Sequence, residues 1–306
     1  MLYFSLSVLF TVALYLIMRA FPRYKVDSFH AVVFNYYACV LTGLLLTPDL
    51  HLFEKVSWHS EGTLITLALG GMFVVTFMLI GLTAQKVSVT ATSLAGNMSL
   101  VIPVLFGLFV FKNNNKEFTA INYAGLVTAL VALALGAIQN TKKETTAGSV
   151  ANAPARGNLL LTLPLLTFLA AGTNNTLINY LSVKYYAPGE TTLFMIIACS
   201  GAILIGSAIL LFRVLIKGEK LYWRSIVGGL ILGVPNFLSL YFLLLALASF
   251  GNSAAFVFPI YNILTMLVSA CAAWLIYRER LNHLNKFGLL LAVIAIIMIS
   301  YQELSL

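Results

Sequence analysis

The chain has 306 residues, of which 60% are hydrophobic and only 9% are charged. This composition, with a mean hydropathy of +0.96, excludes an ordinary soluble domain and predicts an integral membrane protein. The formal net charge is +8, but the basic residues lie in short segments between apolar runs, where they orient helices. The positive charge therefore does not indicate a nucleic-acid partner.

About ten apolar runs follow one another along the chain. An α-helix needs roughly 20 apolar residues to cross the hydrocarbon core, and a helix satisfies its own backbone hydrogen bonds in lipid. Each run is therefore predicted to be a membrane-spanning helix. The predicted spans are residues 2–18, 30–47, 62–84, 89–111, 117–138, 158–183, 191–215, 225–248, 253–277 and 286–301.

The second half of the chain repeats the pattern of the first. Adding 163 to each residue number lays residues 90–138 on residues 253–301 without a gap. In this register Asn122 pairs with Asn285, and matches of this residue type are harder to obtain by chance than Leu or Ala matches. The same shift gives two further pairs, Gly70 with Gly233 and Gly125 with Gly288.

The repeat divides the chain into a first five-helix repeat (1–138), a linker (139–157) and a second five-helix repeat (158–306), which together form one transport domain. A repeat with an odd number of spans must sit upside down relative to its partner. The predicted fold is therefore an all-α membrane protein with about ten transmembrane helices, arranged as two inverted five-helix repeats. This architecture is typical of transporters, whose substrate site lies near mid-membrane where the repeats meet.

Polar side chains inside apolar spans are candidate binding residues, because they are costly to leave against lipid. Asn262, Thr265 and Ser269 share one face of a predicted helix, at steps of three and four. Such residues also hold neighbouring helices together, so helix packing is the alternative interpretation of each. The predicted substrate-binding residues are Asn35, Tyr37, Asn97, Asn175, Asn179, Asn236, Tyr241, Tyr261 and Asn262.

Charged and catalytic groups are missing from the middle of the predicted spans. No Asp or Glu lies there to exchange protons, and no Lys or Arg lies there to bind phosphates. No set of residues suggests catalysis, a metal site or a cofactor, so we expect neither an enzyme nor a cofactor. Cys39, Cys199 and Cys271 fall inside apolar runs and are interpreted as packing residues. A cavity of amides, hydroxyls and phenols suits a neutral or zwitterionic solute.

The last predicted hairpin resembles that of a known transporter family. Glu279-Arg280-Leu281 and Gly288 match the second-repeat motif of the drug/metabolite transporter superfamily, within its EamA-type ten-helix carriers. Pro103 stands thirteen residues before Lys116, which is the family's Pro-to-Glu spacing with Lys in place of Glu. The resemblance implies a carrier with two five-helix repeats that exports small solutes. It also implies cytoplasmic termini, whereas the distribution of basic residues favours both termini outside.

The first functional hypothesis is an alternating-access exporter of small neutral or zwitterionic metabolites such as amino acids. A nucleotide-sugar or sugar-phosphate exchanger is the second, and a non-transporting membrane scaffold is the third. The expected partners are a small-molecule substrate and the lipid bilayer, and the protein is expected to be a monomer or a homodimer. The short loops suit a multi-pass protein of the bacterial inner (plasma) membrane.

Overall fold

The computed structural model describes residues 2–47, 53–54, 56–109, 119–137, 153–186, 190–249 and 254–301. Within these ranges the chain forms eleven α-helices and a 3₁₀ turn at Phe21–Tyr24, with no strand. The helices are α1 (Leu2–Ala20), α2 (Ser28–Leu46), α3 (Glu61–Lys86), α4 (Val89–Met98), α5 (Val101–Phe109), α6 (Ala120–Ala137), α7 (Ala153–Tyr185), α8 (Thr191–Lys217), α9 (Trp223–Ser249), α10 (Ala254–Tyr277) and α11 (His283–Ser300).

The helices have the length and composition of membrane spans. Seven segments of the described chain are long and apolar enough to cross a bilayer, and their bounds are Leu2–Tyr24, Ser28–Leu46, Glu61–Lys86, Thr192–Lys217, Trp223–Ala246, Ile260–Tyr277 and His283–Ser300. A shorter apolar helix covers Ala120–Leu135. The predicted class, an all-α membrane protein, is confirmed. The count of ten spans and the inverted repeat stay predictions.

Two helix boundaries differ from the sequence prediction. The predicted fourth span is not one helix but two, α4 and α5, separated at Ser99 and Leu100. Ser99 turns the chain there, because its hydroxyl donates to the carbonyl of Gly96 at 2.5 Å and its own carbonyl accepts from the amide of Ile102 at 3.0 Å. Helix α7 begins at Ala153, inside the stretch predicted to be linker. Residues 139–152 of that stretch lie outside the described residues.

Short polar residues set the start of several helices. Asp27 accepts a hydrogen bond from the amide of His30 at 2.9 Å before α2, and Ser88 accepts one from the amide of Ala91 at 2.9 Å before α4. At the start of α11, Asn282 forms a capping box with Asn285. These side chains satisfy amide groups that the first turn leaves without partners. The polar turns thereby separate one apolar run from the next.

Helices α6 and α11 lie antiparallel along each other and exchange equivalent hydrogen bonds. Asn122, near the start of α6, donates to the carbonyl of Ile299 at the end of α11 at 2.8 Å. Asn285, near the start of α11, donates to the carbonyl of Leu135 near the end of α6 at 3.3 Å. Each Asn also accepts a hydrogen bond at its own helix start, from the amide of Thr119 at 2.9 Å or of Asn282 at 3.3 Å. An Asn near the start of each helix therefore bonds both to the end of the other helix and to the start of its own.

Two other helix pairs approach so closely that their backbones touch. At the α3–α8 crossing, a Cβ atom on Gly70 would collide with the backbone of Gly201 and Ala202. At the α2–α9 crossing, a Cβ atom on Gly233 would collide with the carbonyl oxygen of Asn35. Glycine is required at both crossings because any side chain would push the helices apart. Helix α1 packs on α9, α10, α3 and α4, which places it among the helices that carry the polar residues.

Candidate functional site

The first polar cluster lies between α2 and α9, and we name it the α2–α9 cluster: Asn35, Tyr36, Cys39 and Asn236. The amide nitrogen of Asn236 donates to the Asn35 side-chain oxygen at 3.1 Å and lies 3.4 Å from the Cys39 sulfur. Asn35 and Tyr36 are fully buried. Within the described residues, the Asn35 amide nitrogen and the Tyr36 hydroxyl have no hydrogen-bond partner. A buried polar atom without a partner is costly, so these two atoms are the least satisfied groups of the cluster.

The second polar cluster lies between α1, α4 and α10. We name it the α1–α4–α10 cluster, and its members are Thr11, Tyr15, Ser93, Asn97, Tyr261, Asn262 and Thr265. The Thr11 and Tyr261 hydroxyls lie 2.6 Å apart. Ser93 donates to the carbonyl of Thr265 at 3.4 Å and so joins α4 to α10. None of its members carries a charge, so the cluster offers only neutral hydrogen-bonding groups.

The polar atoms of this second cluster include an amide that bonds within its own helix and a hydroxyl that has no partner among the described residues. The Asn97 amide donates to the Ser93 carbonyl at 2.6 Å and to its hydroxyl at 3.1 Å, both within one turn of the same helix. The Thr265 hydroxyl is buried and has no hydrogen-bond partner among the described residues. The Tyr15 hydroxyl lies against Gly96, 3.1 Å from where a Cβ would stand. Hydroxyl, amide and phenol groups therefore meet in one place within an apolar core.

Helix α1 connects the two clusters through one face. Ser7 donates to the carbonyl of Ser239 on α9 at 2.6 Å, and Ser239 donates in turn to the carbonyl of Asn236 at 2.8 Å. One turn further along α1, Thr11 contacts Tyr261 on α10. The polar groups thus form a nearly continuous path through α2, α9, α1, α10 and α4.

The structure brings some of the predicted site residues together and leaves others apart. Asn35 contacts Asn236, while Asn97, Tyr261 and Asn262 belong to the second cluster. Asn175 on α7 donates to the Ser99 hydroxyl at 3.3 Å, which places it beside the break between α4 and α5. No described contact joins these two groups of predicted residues directly. Among the described residues, Ser7 and Thr11 of α1 link them.

Three predicted site residues have other surroundings. Tyr37 is 43% exposed, and its hydroxyl lies 2.8 Å from that of Ser207 on α8. Tyr241 is half-buried and stacks on Phe237 with ring centroids 6.3 Å apart. The side chain of Asn179 lies outside the described residues. All three were equally good candidates from the sequence, since spacing alone does not say which face of a helix meets its neighbours.

Sequence reasoning missed the polar face of α1, although the signal was present. Ser7, Thr11 and Tyr15 are spaced at intervals of four and therefore lie on one face of the helix. All three are buried. Their pattern is the same one that identified the stripe on the predicted ninth span. Helix α1 consequently belongs to the candidate site.

A charged network ties helix ends together on one side of the molecule. We name it the Glu279 network: Arg19, Gln85, Val89, Thr90 and Glu279. The Glu279 carboxylate accepts from the amide of Val89 at 3.0 Å and from the Thr90 hydroxyl at 3.3 Å, and its carboxylate lies 3.9 Å from the Arg19 guanidinium. Arg19 donates to the carbonyl of Ala84 at 2.7 Å and to that of Gln85.

The Glu279 network joins four helices at their ends. It involves the last residues of α1 and α3, the first residues of α4 and the segment directly after α10. Gln85 adds hydrogen bonds to the carbonyl of Met18 at 3.0 Å and to the hydroxyl of Ser28 at 2.9 Å. A carboxylate at the start of a helix is stabilised by the helix dipole as well as by the amides it accepts from. The network therefore ties these helix ends to one another.

His30 is a buried titratable residue at the same end. Its two ring nitrogens lie 3.5 Å from the Glu219 carboxylate and 3.9 Å from the Asp27 carboxylate. The Arg213 guanidinium lies 3.9 Å from Glu219 and stacks on the ring of Phe29. His30 was predicted at the edge of a span, and its burial was not predicted. Within the described residues, no group of three or more His, Cys, Asp or Glu side chains is arranged to hold a metal ion.

These helices define an all-α membrane protein with uncharged polar groups in its interior. No family model matches the sequence. The chain is 24% identical over 302 residues to a protein of Haemophilus influenzae that is described as uncharacterized, and the match covers 97% of each chain. It also resembles a crystal structure of another protein with a TM-score of 0.52 and 13% identity, over 97% of this chain and 98% of the other. That likeness concerns the fold alone, and it extends over nearly the whole of both chains.

Proposed function

We propose that this protein is an alternating-access transporter of small neutral or zwitterionic metabolites, such as amino acids. The observation that carries the proposal is the reciprocal arrangement of α6 and α11. Asn122 and Asn285, which the 163-residue shift pairs, make the same contacts in opposite directions on antiparallel helices. Equivalent helices that run in opposite directions are what an inverted repeat produces. Inverted repeats are a common basis of secondary transporters, with the substrate bound between the two halves.

Helix boundaries and packing support the repeat. Adding 163 to the bounds of α6, 120 and 137, gives 283 and 300, which are the bounds of α11. The α3–α8 and α2–α9 crossings are exchanged by the same shift, and each depends on a glycine of one matched pair, Gly70 or Gly233. In this proposal the chain forms ten spans, with α4 and α5 together making the fourth.

The character of the α1–α4–α10 cluster supports the substrate class. Its members are hydroxyls, amides and phenols, so it can both donate and accept hydrogen bonds without fixed charge. A nucleotide sugar or sugar phosphate requires cations to bind its phosphates, and none belongs to this cluster. A neutral or zwitterionic solute matches the cluster better. Tyr15 and Tyr261 supply aromatic surface for its apolar part.

The Glu279 network supports a conformation that is closed at one end. In an alternating-access cycle, one end of the cavity closes while the other opens. The contacts of Glu279 with Val89 and Thr90 tie α10 to α4, the two helices on which most of the second cluster lies. Breaking them would let α4 and α10 separate at that end. The family resemblance supports net export across the inner (plasma) membrane.

Counterflow in reconstituted liposomes tests the proposal. Vesicles loaded with unlabelled solute should accumulate labelled amino acid transiently, and saturation is expected as the external concentration rises. Asn97→Ala and Asn262→Ala should reduce this uptake at least tenfold, since each removes a buried amide. Thr128→Val is the matched control, because the one hydrogen bond of its hydroxyl within the described residues goes to the carbonyl of Ala124 in its own helix, at 2.7 Å.

Three outcomes separate the functional hypotheses. Saturable exchange of neutral or zwitterionic solutes, lost in the two Asn variants but not in the control, supports the transporter. Exchange restricted to phosphorylated solutes would contradict the substrate class and favour a sugar-phosphate or nucleotide-sugar exchanger. No exchange across amino acids, sugars and nucleotide sugars by a folded protein would favour the non-transporting scaffold.

A further inference from the structure

A cleft of about 310 Å³ lies where α10 ends, on the outside of the helix assembly. It is lined by Trp274 and Leu275 from the last turn of α10 and by Arg278 and Arg280 from the segment that follows. Trp274 is 61% exposed and Leu275 is 68% exposed. One wall of the cleft is therefore aromatic and aliphatic, and the other carries two guanidinium groups.

The two arginines are not used to hold the fold together. Within the described residues, neither Arg278 nor Arg280 has an ion pair or a side-chain hydrogen bond, and both are exposed. Glu279 lies between them in sequence, but its carboxylate points the other way and is bound by Val89 and Thr90. The chain thus separates an inward-facing acid from two outward-facing bases. The result is a local surplus of positive charge without an internal counterion.

An apolar track leads away from the cleft along α10. Leu264, Leu267 and Cys271 are all exposed and are separated by three and four residues, so they lie on the same helix face as Trp274 and Leu275. This face lies along a helix of membrane-spanning length. In a bilayer it contacts lipid tails, while the end of the helix lies at the level of the headgroups. Tryptophan is enriched at that level because its ring is amphipathic.

We propose that the cleft binds an anionic phospholipid of the phosphatidylglycerol type. Arg278 and Arg280 hold the phosphate, and one acyl chain lies along Leu275, Cys271 and Leu267. The two guanidinium groups favour phosphate because they offer paired donors to its oxygens. The net negative charge of the lipid matches the surplus positive charge, which a zwitterionic headgroup would match only in part. The site is separate from the polar clusters in the interior and does not require the protein to be a transporter.

Fluorescence quenching at Trp274 tests the proposal directly. The Trp58→Phe, Trp223→Phe protein keeps Trp274 as its single tryptophan and is reconstituted with phosphatidylcholine plus either brominated phosphatidylglycerol or brominated phosphatidylcholine. Because a basic residue near the surface contributes about fivefold to the binding of anionic lipid, we expect the two arginines to give a preference for phosphatidylglycerol of roughly 25-fold. Arg278→Gln with Arg280→Gln should reduce the preference to about one.

Lys220→Gln with Arg224→Gln is the matched control, because it removes the same charge from exposed residues near the start of α9. It should leave the preference unchanged. Equal quenching by the two lipids in the unmodified site, or an equal loss of preference in the control, would overturn the proposal. Relief of the preference by millimolar inorganic phosphate would also overturn it, since the cleft would then bind a free anion. Arg280→Gln alone should lose about half of the effect on a logarithmic scale. It leaves Arg278, whose backbone is left-handed at φ 54°, unchanged, and so guards against misfolding.

Discussion

The two ends of the helix assembly are held by different kinds of contact. Where α6 begins and α11 ends, the contacts are hydrogen bonds between neutral groups. Asn122 donates to the carbonyl of Ile299, and the Thr119 hydroxyl lies 2.8 Å from that of Tyr301. Where α10 ends, the charged Glu279 bonds to α4 and lies near Arg19. Neutral contacts thus keep two helices together, whereas charged contacts tie the ends of four.

The residues that the 163-residue shift pairs explain why the two ends differ. The 163-residue shift pairs Asn122 with Asn285, so the neutral contacts occur at both ends of the α6–α11 pair. The same shift places Lys116 opposite Glu279, Ser182 opposite Arg19 and Ala248 opposite Gln85. Arg19, Gln85 and Glu279 therefore have no matching residue at the equivalent position of the other repeat. Residues shared by the repeats form the frame, and residues that differ between them tie the helix ends together at one end of the assembly.

Substitutions of the glycines in the frame should have the largest effect on stability. Gly70→Ala should destabilise the protein by about 3 kcal/mol, because its Cβ would meet the backbone of α8, which cannot move aside as a side chain can. Gly233→Ala should cost about as much through its contact with the Asn35 carbonyl. Gly71→Ala is the control, since its Cβ would meet only the end of the Ile205 side chain at 3.0 Å. Thermal unfolding in detergent measures all three, and clearly unequal losses at Gly70 and Gly233 would contradict the shared frame.

The Glu279 network should show a smaller and more local effect. Glu279→Gln keeps the size of the side chain but removes the charge that Val89 and Thr90 bond to, at a cost of about 1–2 kcal/mol. Amide hydrogen exchange at residues 89–90 should accelerate by roughly tenfold. Exchange at residues 119–122, at the other end of the molecule, should not change. Uniform acceleration at both ends would mean that Glu279 stabilises the whole fold and does not act locally.

The α6–α11 contact predicts a symmetric result. Asn122→Ala and Asn285→Ala should each cost about 1 kcal/mol, since each loses at least one hydrogen bond across the helices and at least one at its helix start. Chemical unfolding of each variant beside Thr128→Val measures the loss. A marked difference between the two Asn variants would show that the reciprocal contacts are not equivalent.

Substitution of the exposed cysteine is expected to have the smallest effect on stability, and the reactivity of the cysteines distinguishes buried from exposed positions. Cys39 and Cys199 are buried, as interpreted from sequence, but Cys271 is exposed on the outer face of α10. Its interpretation as a packing residue within the chain was wrong, because an apolar run does not reveal which face meets lipid. Cys271→Ser should change the free energy of unfolding by less than about 0.5 kcal/mol. A lipid-soluble maleimide should modify Cys271 first, and faster reaction at Cys39 would contradict the packing of α2 on α9.

Sequence reasoning predicted the helices well because lipid imposes a strong constraint on length and composition. It missed the break at Ser99, since the run from Val89 to Phe109 stays apolar enough to be one span. Pro103 did not indicate the break, because it falls in the first turn of α5, where proline is tolerated. Sequence reasoning predicted Asn97 and Asn262 as site residues because each lies on a polar face of its own helix, and these assignments stay predictions. It could not find the partners of Glu279, because 189 or 190 residues separate Glu279 from Thr90 and Val89.

Access to Ser93 from the two sides of the membrane tests the central claim most directly. Ser93 is fully buried between α4 and α10. The test uses a protein with Ser93→Cys as its single cysteine, after replacement of Cys39, Cys199 and Cys271. If the protein alternates its access, a membrane-impermeant maleimide should label this cysteine in both right-side-out and inside-out vesicles. Glu279→Gln should increase the rate in one of these orientations only. Labelling from one side alone, unchanged by Glu279→Gln and by any transported solute, would contradict alternating access.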